Sequence, residues 1–139
     1  MKRYEERIKL ARDLYEQLME SKLYNFKELI PSMLPKSAGV YVIWVKQVEK
    51  VLYVGRTRNI QQRLYTNHLM GNKSSARLKK YLVEDNEKYP QITNYAEAKT
   101  YLKDNCCFQF IIEYDNNLRG HIEGLFGFLT DAQYIESEH

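Results

Sequence analysis

Two tyrosines occur in short glycine-containing motifs, Gly39-Val40-Tyr41 and Tyr53-Val54-Gly55. The residues of 39–45 and 51–54 are mostly β-branched or aromatic, which favours two strands joined as a hairpin. In a hairpin centred near residue 47 or 48, Tyr41 and Tyr53 have the same parity and project from one face of the sheet. Two phenols placed in this way either pack against each other or reach one ligand together.

Two arginines near these motifs could bind a phosphate group. Arg56 directly follows the second motif, and Arg63 lies seven residues further on, one position from the apolar stripe of a predicted helix. A guanidinium presents a planar set of donors that matches phosphate oxygens. The alternative for Arg63 is the ordinary one for a helical arginine, a solvated surface position.

Glu123 is the third candidate, near the apolar stripe of the last predicted helix. Glycines at positions 120, 124 and 127 flank it, and each costs a helix roughly 1 kcal/mol relative to alanine. Close approach of this helix to the sheet would explain them and would bring the carboxylate near the tyrosines. The alternative is an ion pair with Arg119, four residues earlier on the same side of the helix.

The elements that must position these residues are both helical and extended. Helical spacing of apolar residues predicts helices over 4–20, 58–69, 74–86, 94–103 and 117–130. Besides the hairpin, residues 106–114 form a third predicted strand. The order of helix, hairpin, helices, strand and helix indicates an α+β fold, with a small and largely antiparallel sheet covered by helices.

Length and composition exclude several classes of protein. A chain of 139 residues predicts a single domain, and no apolar run approaches the roughly 20 residues of a membrane-spanning helix. The N-terminus lacks the apolar segment of a secretory signal. The only two cysteines, Cys106 and Cys107, are adjacent, so a disulfide scaffold is excluded and a reducing cytoplasm is expected. The cysteines and three histidines show no zinc-ligand spacing.

Positive charge is concentrated in the middle of the chain. The net charge is only +3, but residues 46–80 contain nine lysines and arginines and a single acidic residue. This distribution favours a positive face for a polyanionic partner. A solvated helix surface is an equally weighted alternative for the same charges.

In combination, these residues resemble the GIY-YIG nuclease family. The resemblance rests on Gly39-Val40-Tyr41, Leu52-Tyr53-Val54-Gly55-Arg56-Thr57, Arg63, and Arg119 with Glu123 before Leu125-Phe126. It covers residues 39 to about 134. It implies an α/β/α sandwich around a three-stranded antiparallel sheet. The activity it implies is hydrolysis of a nucleic-acid phosphodiester with one divalent metal ion, Mg²⁺ or Mn²⁺.

The resemblance also implies a role for each motif residue. Tyr53 would orient or deprotonate the attacking water, and Tyr41 would hold that water or the scissile phosphate. Arg63 would stabilise negative charge that grows on the phosphoryl oxygens, and Arg56 would add positive charge that binds substrate. Glu123 would be the single protein carboxylate on the metal, an arrangement that suits Mg²⁺.

Two positions depart from the family pattern. Many members carry His or Tyr four residues after the helical arginine, whereas this chain has Asn67 there and His68 next. On a regular helix Asn67 would share the face of Arg63 and His68 would point away, so we expect these two residues to contribute to substrate binding at most. The asparagine that often follows the last helix is also missing, because the chain reads Ala132-Gln133-Tyr134-Ile135.

The sequence therefore predicts an N-terminal helix and connector (1–37), a nuclease-like domain (38–135) and a tail (136–139). We expect a metal-dependent endonuclease with nucleic acid as its partner, DNA favoured, and no membrane association. Two alternatives stay open. One is a weak or inactive nucleic-acid-binding module on the same scaffold, and the other is a protein-interaction domain that uses the N-terminal helix.

Overall fold

The helices and strands follow the predicted order. The computed structural model describes residues 2–72 and 76–135, so the predicted tail lies outside the described residues. The elements are α1 (Lys2–Glu20), β1 (Tyr24–Asn25), β2 (Gly39–Val45), β3 (Lys50–Thr57), a π-helix (Gln62–Leu69), α2 (Arg77–Glu84), α3 (Tyr95–Asn105), β4 (Cys106–Ile112), α4 (Asn116–Thr130) and β5 (Tyr134–Ile135). Two 3₁₀ turns, Phe26–Glu28 and Pro31–Met33, lie between β1 and β2.

The sheet has the strand order β1-β4-β2-β3-β5. Its first four strands pair antiparallel, and β5 pairs parallel with β3. The prediction of three long antiparallel strands is confirmed by β2, β3 and β4. The two edge strands were not predicted, because two residues are too few to show an alternating pattern.

The β2–β3 hairpin places the two motif tyrosines on one face of the sheet, as predicted. Tyr41 pairs with Gly55, and Tyr53 pairs with Ile43. The tyrosines are therefore diagonal neighbours, separated by two positions in register. A register shift between Ile43 and Trp44 accommodates the extra residue towards the turn.

Two apolar clusters cover the two faces of the sheet. The face of Tyr41 and Tyr53 packs against the π-helix, α2 and α3 through Leu64, Leu78, Leu82 and Leu102. The opposite face, with Val40, Val42 and Val54, packs against α1 and α4 through Leu18, Ile122 and Phe126. Because successive residues of a strand point to opposite faces of the sheet, each long strand contributes side chains to both clusters. The α/β/α sandwich is confirmed.

The N-terminal helix α1 packs on its own fold. Leu18 is fully buried in the second cluster, with Leu14, Tyr15 and Met19 against it, whereas Tyr4 at the start of the helix is 60% exposed. Neither α1 nor any other helix among residues 2–72 and 76–135 is long and apolar enough to cross a membrane.

Glycines in both tyrosine motifs are required by close packing. A Cβ atom at Gly55 would lie 2.3 Å from the hydroxyl oxygen of Tyr41. A Cβ atom at Gly39 would lie 2.2 Å from the backbone oxygen of Ile111 on β4. Gly55 thus makes room for Tyr41, and Gly39 lets β2 and β4 approach.

Two glycine substitutions are expected to change stability in opposite directions. Gly55→Ala forces a shift of the Tyr41 ring, and overpacking of this kind costs about 1–3 kcal/mol of unfolding free energy. Gly124→Ala on α4 would place a Cβ with no described heavy atom within 4 Å beyond its own helical surroundings, so it is expected to add up to about 1 kcal/mol. Urea unfolding of both variants measures the two changes. Stabilisation by Gly55→Ala would contradict the packing around Tyr41.

Candidate active site

Tyr41 is the centre of a buried polar cluster on the first face of the sheet. Its hydroxyl oxygen lies 2.7 Å from Nε2 of His68 and accepts a hydrogen bond from Nε of Arg63 at 3.2 Å. The Tyr53 ring stacks beside it, with ring centroids 6.1 Å apart, and meets the His68 ring edge-on at 5.1 Å. Four residues singled out from the sequence are thus brought together.

His68 reaches the tyrosines because a π-helix carries it. Over Gln62–Leu69 the helix is wider than an α-helix, and the N–H of Met70 bonds to the carbonyl of Tyr65, five residues back. In a helix with this spacing Arg63 and His68, five residues apart, lie about one turn apart on the same face. The prediction of a regular helix with His68 turned away is therefore wrong. Asn67 is half-buried, and its carbonyl accepts from the N–H of Gly71.

His68 is fully buried and held neutral. Burial lowers the pKa of His68 well below its ordinary value of 6.5, and repulsion from Arg63 and then Lys79 lowers it further. Among the described residues, Nδ1 of this ring is buried without a hydrogen-bond partner. A neutral imidazole has one nitrogen that accepts a proton, so His68 is a base next to a phenol.

Lys79 holds the C-terminal end of the π-helix. Its side chain is buried, and Nζ donates to the carbonyls of Leu69 and Gly71. Burial, with repulsion from Lys99, lowers the pKa of Lys79 to about 8. The sequence had placed Lys79 among the charges of a basic face, and nothing in its spacing separates it from the exposed Lys80. That basic face therefore loses one of its charges to the interior.

Arg56 and Glu123 form a second group, on the opposite face of the sheet. Nε of Arg56 lies 3.7 Å from Oε1 of Glu123, and the two side chains are 47% and 19% exposed. Gly120 lies beneath the arginine, since a Cβ there would be 2.3 Å from Nη1 of Arg56. Gly120 thus makes room for a side chain, and a Cβ at Gly124 would meet no described atom within 4 Å outside its own helical surroundings. Close approach to the sheet, the predicted reason for these glycines, therefore holds at Gly120, where the neighbour is the Arg56 side chain of β3, and does not account for Gly124.

Arg119 has a structural role at the start of α4. It is buried, and Nη1 donates to the carbonyls of Glu113 and Tyr114 while Nη2 donates to Oδ1 of Asn116. These bonds tie the end of β4 to the first turn of α4. Glu123 lies beside Arg56 from the sheet instead, so the alternative of a local Arg119–Glu123 pair is wrong.

Strand β3 connects the two groups. Tyr53 and Arg56 are three residues apart and project to opposite faces. β5 pairs only with Tyr53 and Val54, so in the described chain the outer edge of β3 has no paired strand at Gly55 and Arg56. The two groups are therefore separated by the thickness of one strand.

Glu123 is the residue that could hold a metal ion. The described residues contain no group of three or more His, Cys, Asp or Glu side chains, so they offer no closed metal site. Glu123 lines a cavity of about 470 Å³ together with Gly120, Gly124 and Gln133. One carboxylate beside open space fits a hard cation that keeps several waters and takes phosphate oxygens from the substrate. Gln133 lines the same cavity. It lies just after the last helix, in the segment where the resemblance predicts an asparagine.

Acid is expected to destabilise the protein through His68. The folded-state pKa is below the unfolded value of about 6.5, so as the pH falls below 6.5 the unfolded state takes up a proton first. The contribution of His68 is complete above pH 6.5 and is lost towards its folded pKa, with a slope of at most about 1.4 kcal/mol per pH unit. Urea unfolding from pH 5 to 8 measures this slope.

The matched variants are His68→Gln and His121→Gln, the latter at an exposed position on α4. His68→Gln is expected to flatten the acid slope, and His121→Gln to keep that of the wild type. The same slope in wild type and His68→Gln would show that His68 does not change its proton affinity on folding.

Comparison with known proteins agrees with this arrangement. A family model described as the GIY-YIG catalytic domain matches residues 37–115, more than half of the chain. The match includes both tyrosine motifs, Arg63 and His68, and it ends before α4, so Glu123 lies outside it. No curated protein matches the chain. On its sequence match and its fold, the chain belongs to the GIY-YIG family.

Proposed function

We propose that the protein is a metal-dependent endonuclease that hydrolyses phosphodiester bonds of nucleic acid, with DNA as the favoured substrate. The observation that carries this proposal is the hydroxyl of Tyr41, buried between a neutral imidazole and a guanidinium. A buried, uncharged histidine beside two cationic side chains costs stability, and such groups are concentrated at functional sites. The family membership makes nuclease chemistry the function to assign to it.

The tyrosines and His68 would handle the attacking water and its proton. Tyr53 would orient or deprotonate the water, and Tyr41 would hold the water or the scissile phosphate. His68, 2.7 Å behind the Tyr41 hydroxyl, would accept a proton passed through the phenol. Its lowered pKa keeps the accepting nitrogen unprotonated at neutral pH.

Arg63 would stabilise the charge that develops on the phosphoryl oxygens. A guanidinium has five N–H donors, so the bond from Nε to Tyr41 is compatible with further bonds to phosphate. This bond also fixes the orientation of the side chain before substrate arrives. Arg56 would add positive charge on the other side of β3.

Glu123 would hold the metal, with water and substrate oxygens completing its coordination. A bound Mg²⁺ or Mn²⁺ supplies a Lewis acid that polarises the phosphoryl group and favours departure of the leaving oxygen. The contribution of this chain is to keep Glu123 at the wall of an open cavity, with Arg56 as its partner.

The test is cleavage of plasmid and of short single-stranded, duplex and branched DNA and RNA in Mg²⁺ or Mn²⁺. Wild type is compared with Glu123→Gln, Arg63→Ala and the control Arg3→Ala, which changes an exposed residue of α1. Wild type and Arg3→Ala are expected to cleave. Glu123→Gln and Arg63→Ala are expected to lose about 100-fold or more, the usual cost of removing one transition-state contact.

Circular dichroism and urea unfolding confirm that each variant is folded. Equal cleavage by all four proteins would place the activity elsewhere or in a contaminant. Salt-dependent binding by a wild type that does not cleave would establish the binding module instead. If the wild type neither cleaves nor binds nucleic acid, a nucleic-acid function is refuted. The interaction role of α1 is then the remaining alternative.

A further inference from the structure

An open groove runs along α4. Three cavities lie side by side on this helix: Arg56 and Asn116 line the first two, and Gly120 lines the second and third. Together they extend from Asn116 to Phe128, about 18 Å at 1.5 Å per helical residue. Glu123 lies in the third cavity, so the groove continues outwards from the proposed active site.

The α4 groove is uncovered at Gly124. A Cβ at Gly124 would contact nothing described within 4 Å beyond the adjoining residues and helix backbone, so no described element fills the space that a side chain would occupy. Glycine at an exposed helical position weakens the helix relative to alanine. Packing within the described residues gives no reason for Gly124, whereas a flat ligand lying along the helix requires a surface without side chains at this point.

The two ends of the groove differ in chemistry. At the Asn116 end the lining includes the side chains of Arg56 and Arg58, which provide positive charge for phosphates. At the other end Phe128 is 84% exposed, the largest exposure among the described large apolar side chains. It lies one helical turn after Gly124 on the same face. A strand with charged phosphates and flat bases is complementary to both ends.

The exposed ring of Phe128 indicates the state of that strand. Phe128 lies five helical residues after Glu123, about 7.5 Å along the axis, which is within about two nucleotides of a phosphate held near Glu123. Inside a duplex both faces of a base are covered by its neighbours, so a base can stack on Phe128 only where it has left the duplex stack. An exposed aromatic ring provides a sequence-independent surface for such a base.

We propose that the α4 groove binds a single nucleic-acid strand, with phosphates at Arg56 and Arg58 and an unpaired base stacked on Phe128 next to the cut. This inference rests on the proposed nuclease function and names its substrate class: strands that are single or unpaired at the cleaved bond. The competing occupant is a protein surface on Phe128 and the neighbouring Leu129, which is 46% exposed. Continuity of the groove with Glu123 and the arginines favours nucleic acid.

The experiment measures binding by fluorescence anisotropy in EDTA, where metal-dependent cleavage cannot proceed. The probes are a labelled 20-nucleotide single strand, the matching duplex, and that duplex with a single-stranded flap. The proteins are wild type, Phe128→Ala, Phe128→Trp, Arg58→Ala, and Tyr4→Ala as the control for loss of an exposed aromatic ring.

Phe128→Ala is expected to weaken binding of the single strand and the flap by about 5- to 140-fold and to leave duplex binding unchanged. Phe128→Trp is expected to retain binding, since a larger ring also stacks. Arg58→Ala is expected to weaken all probes and to lower the slope of log affinity against log salt by about 0.7–0.9. Tyr4→Ala is expected to match wild type.

Equal weakening of single strand and duplex by Phe128→Ala would overturn the unpaired-base assignment. Binding by Phe128→Ala that matches Tyr4→Ala, with an altered oligomeric state in light scattering, would assign Phe128 to a protein interface. Both results leave the nuclease proposal intact if wild type cleaves in the earlier assay. Failure of wild type to bind any probe, together with no cleavage, would instead refute the nuclease function and this inference together.

Discussion

The hydroxyl of Tyr41 joins the sheet to the helical layer above it. It lies on β2, and it contacts His68 and Arg63, which both come from the π-helix. A buried hydroxyl without hydrogen bonds costs about 1–3 kcal/mol, so these contacts fix the position of the π-helix relative to the hairpin. The same hydroxyl occupies the space above Gly55, which explains why the second motif has no side chain at that position.

The π-helix allows two residues that are five positions apart to contact the same hydroxyl oxygen. Arg63 and His68 must both reach one oxygen atom, although they are five residues apart rather than four. Hydrogen bonds between residues five apart bring them to one face of the helix. Turns of π-helix are rare in proteins, and those that occur are often found at functional sites. The helix leaves carbonyls at its C-terminal end, and Lys79 donates to two backbone carbonyls there. Its buried charge also helps to keep His68 neutral.

Much of the fold could be predicted because apolar periodicity records which side of an element is buried. The hairpin, the shared face of Tyr41 and Tyr53, and the helix–strand order all follow from such periodicity. The π-helix does not, since apolar spacing over eight residues does not distinguish its hydrogen bonds from those of an α-helix. Local rules also failed where a tertiary contact decides: Glu123 pairs with Arg56 from the sheet, and Lys79 is buried beside the exposed Lys80.

The alternation of β3 explains how one strand contributes to both groups of the candidate site. Tyr53 projects towards His68, and Arg56 projects towards α4, with Gly55 between them at an edge where no strand pairs within residues 2–72 and 76–135. The Arg56–Glu123 pair at this edge is long and its arginine is about half exposed. Such a pair gains little from its mutual attraction because water screens it. The attraction between Arg56 and Glu123 is therefore weak enough to be given up at little cost, as the proposed function requires if Glu123 is to hold a cation and Arg56 a phosphate.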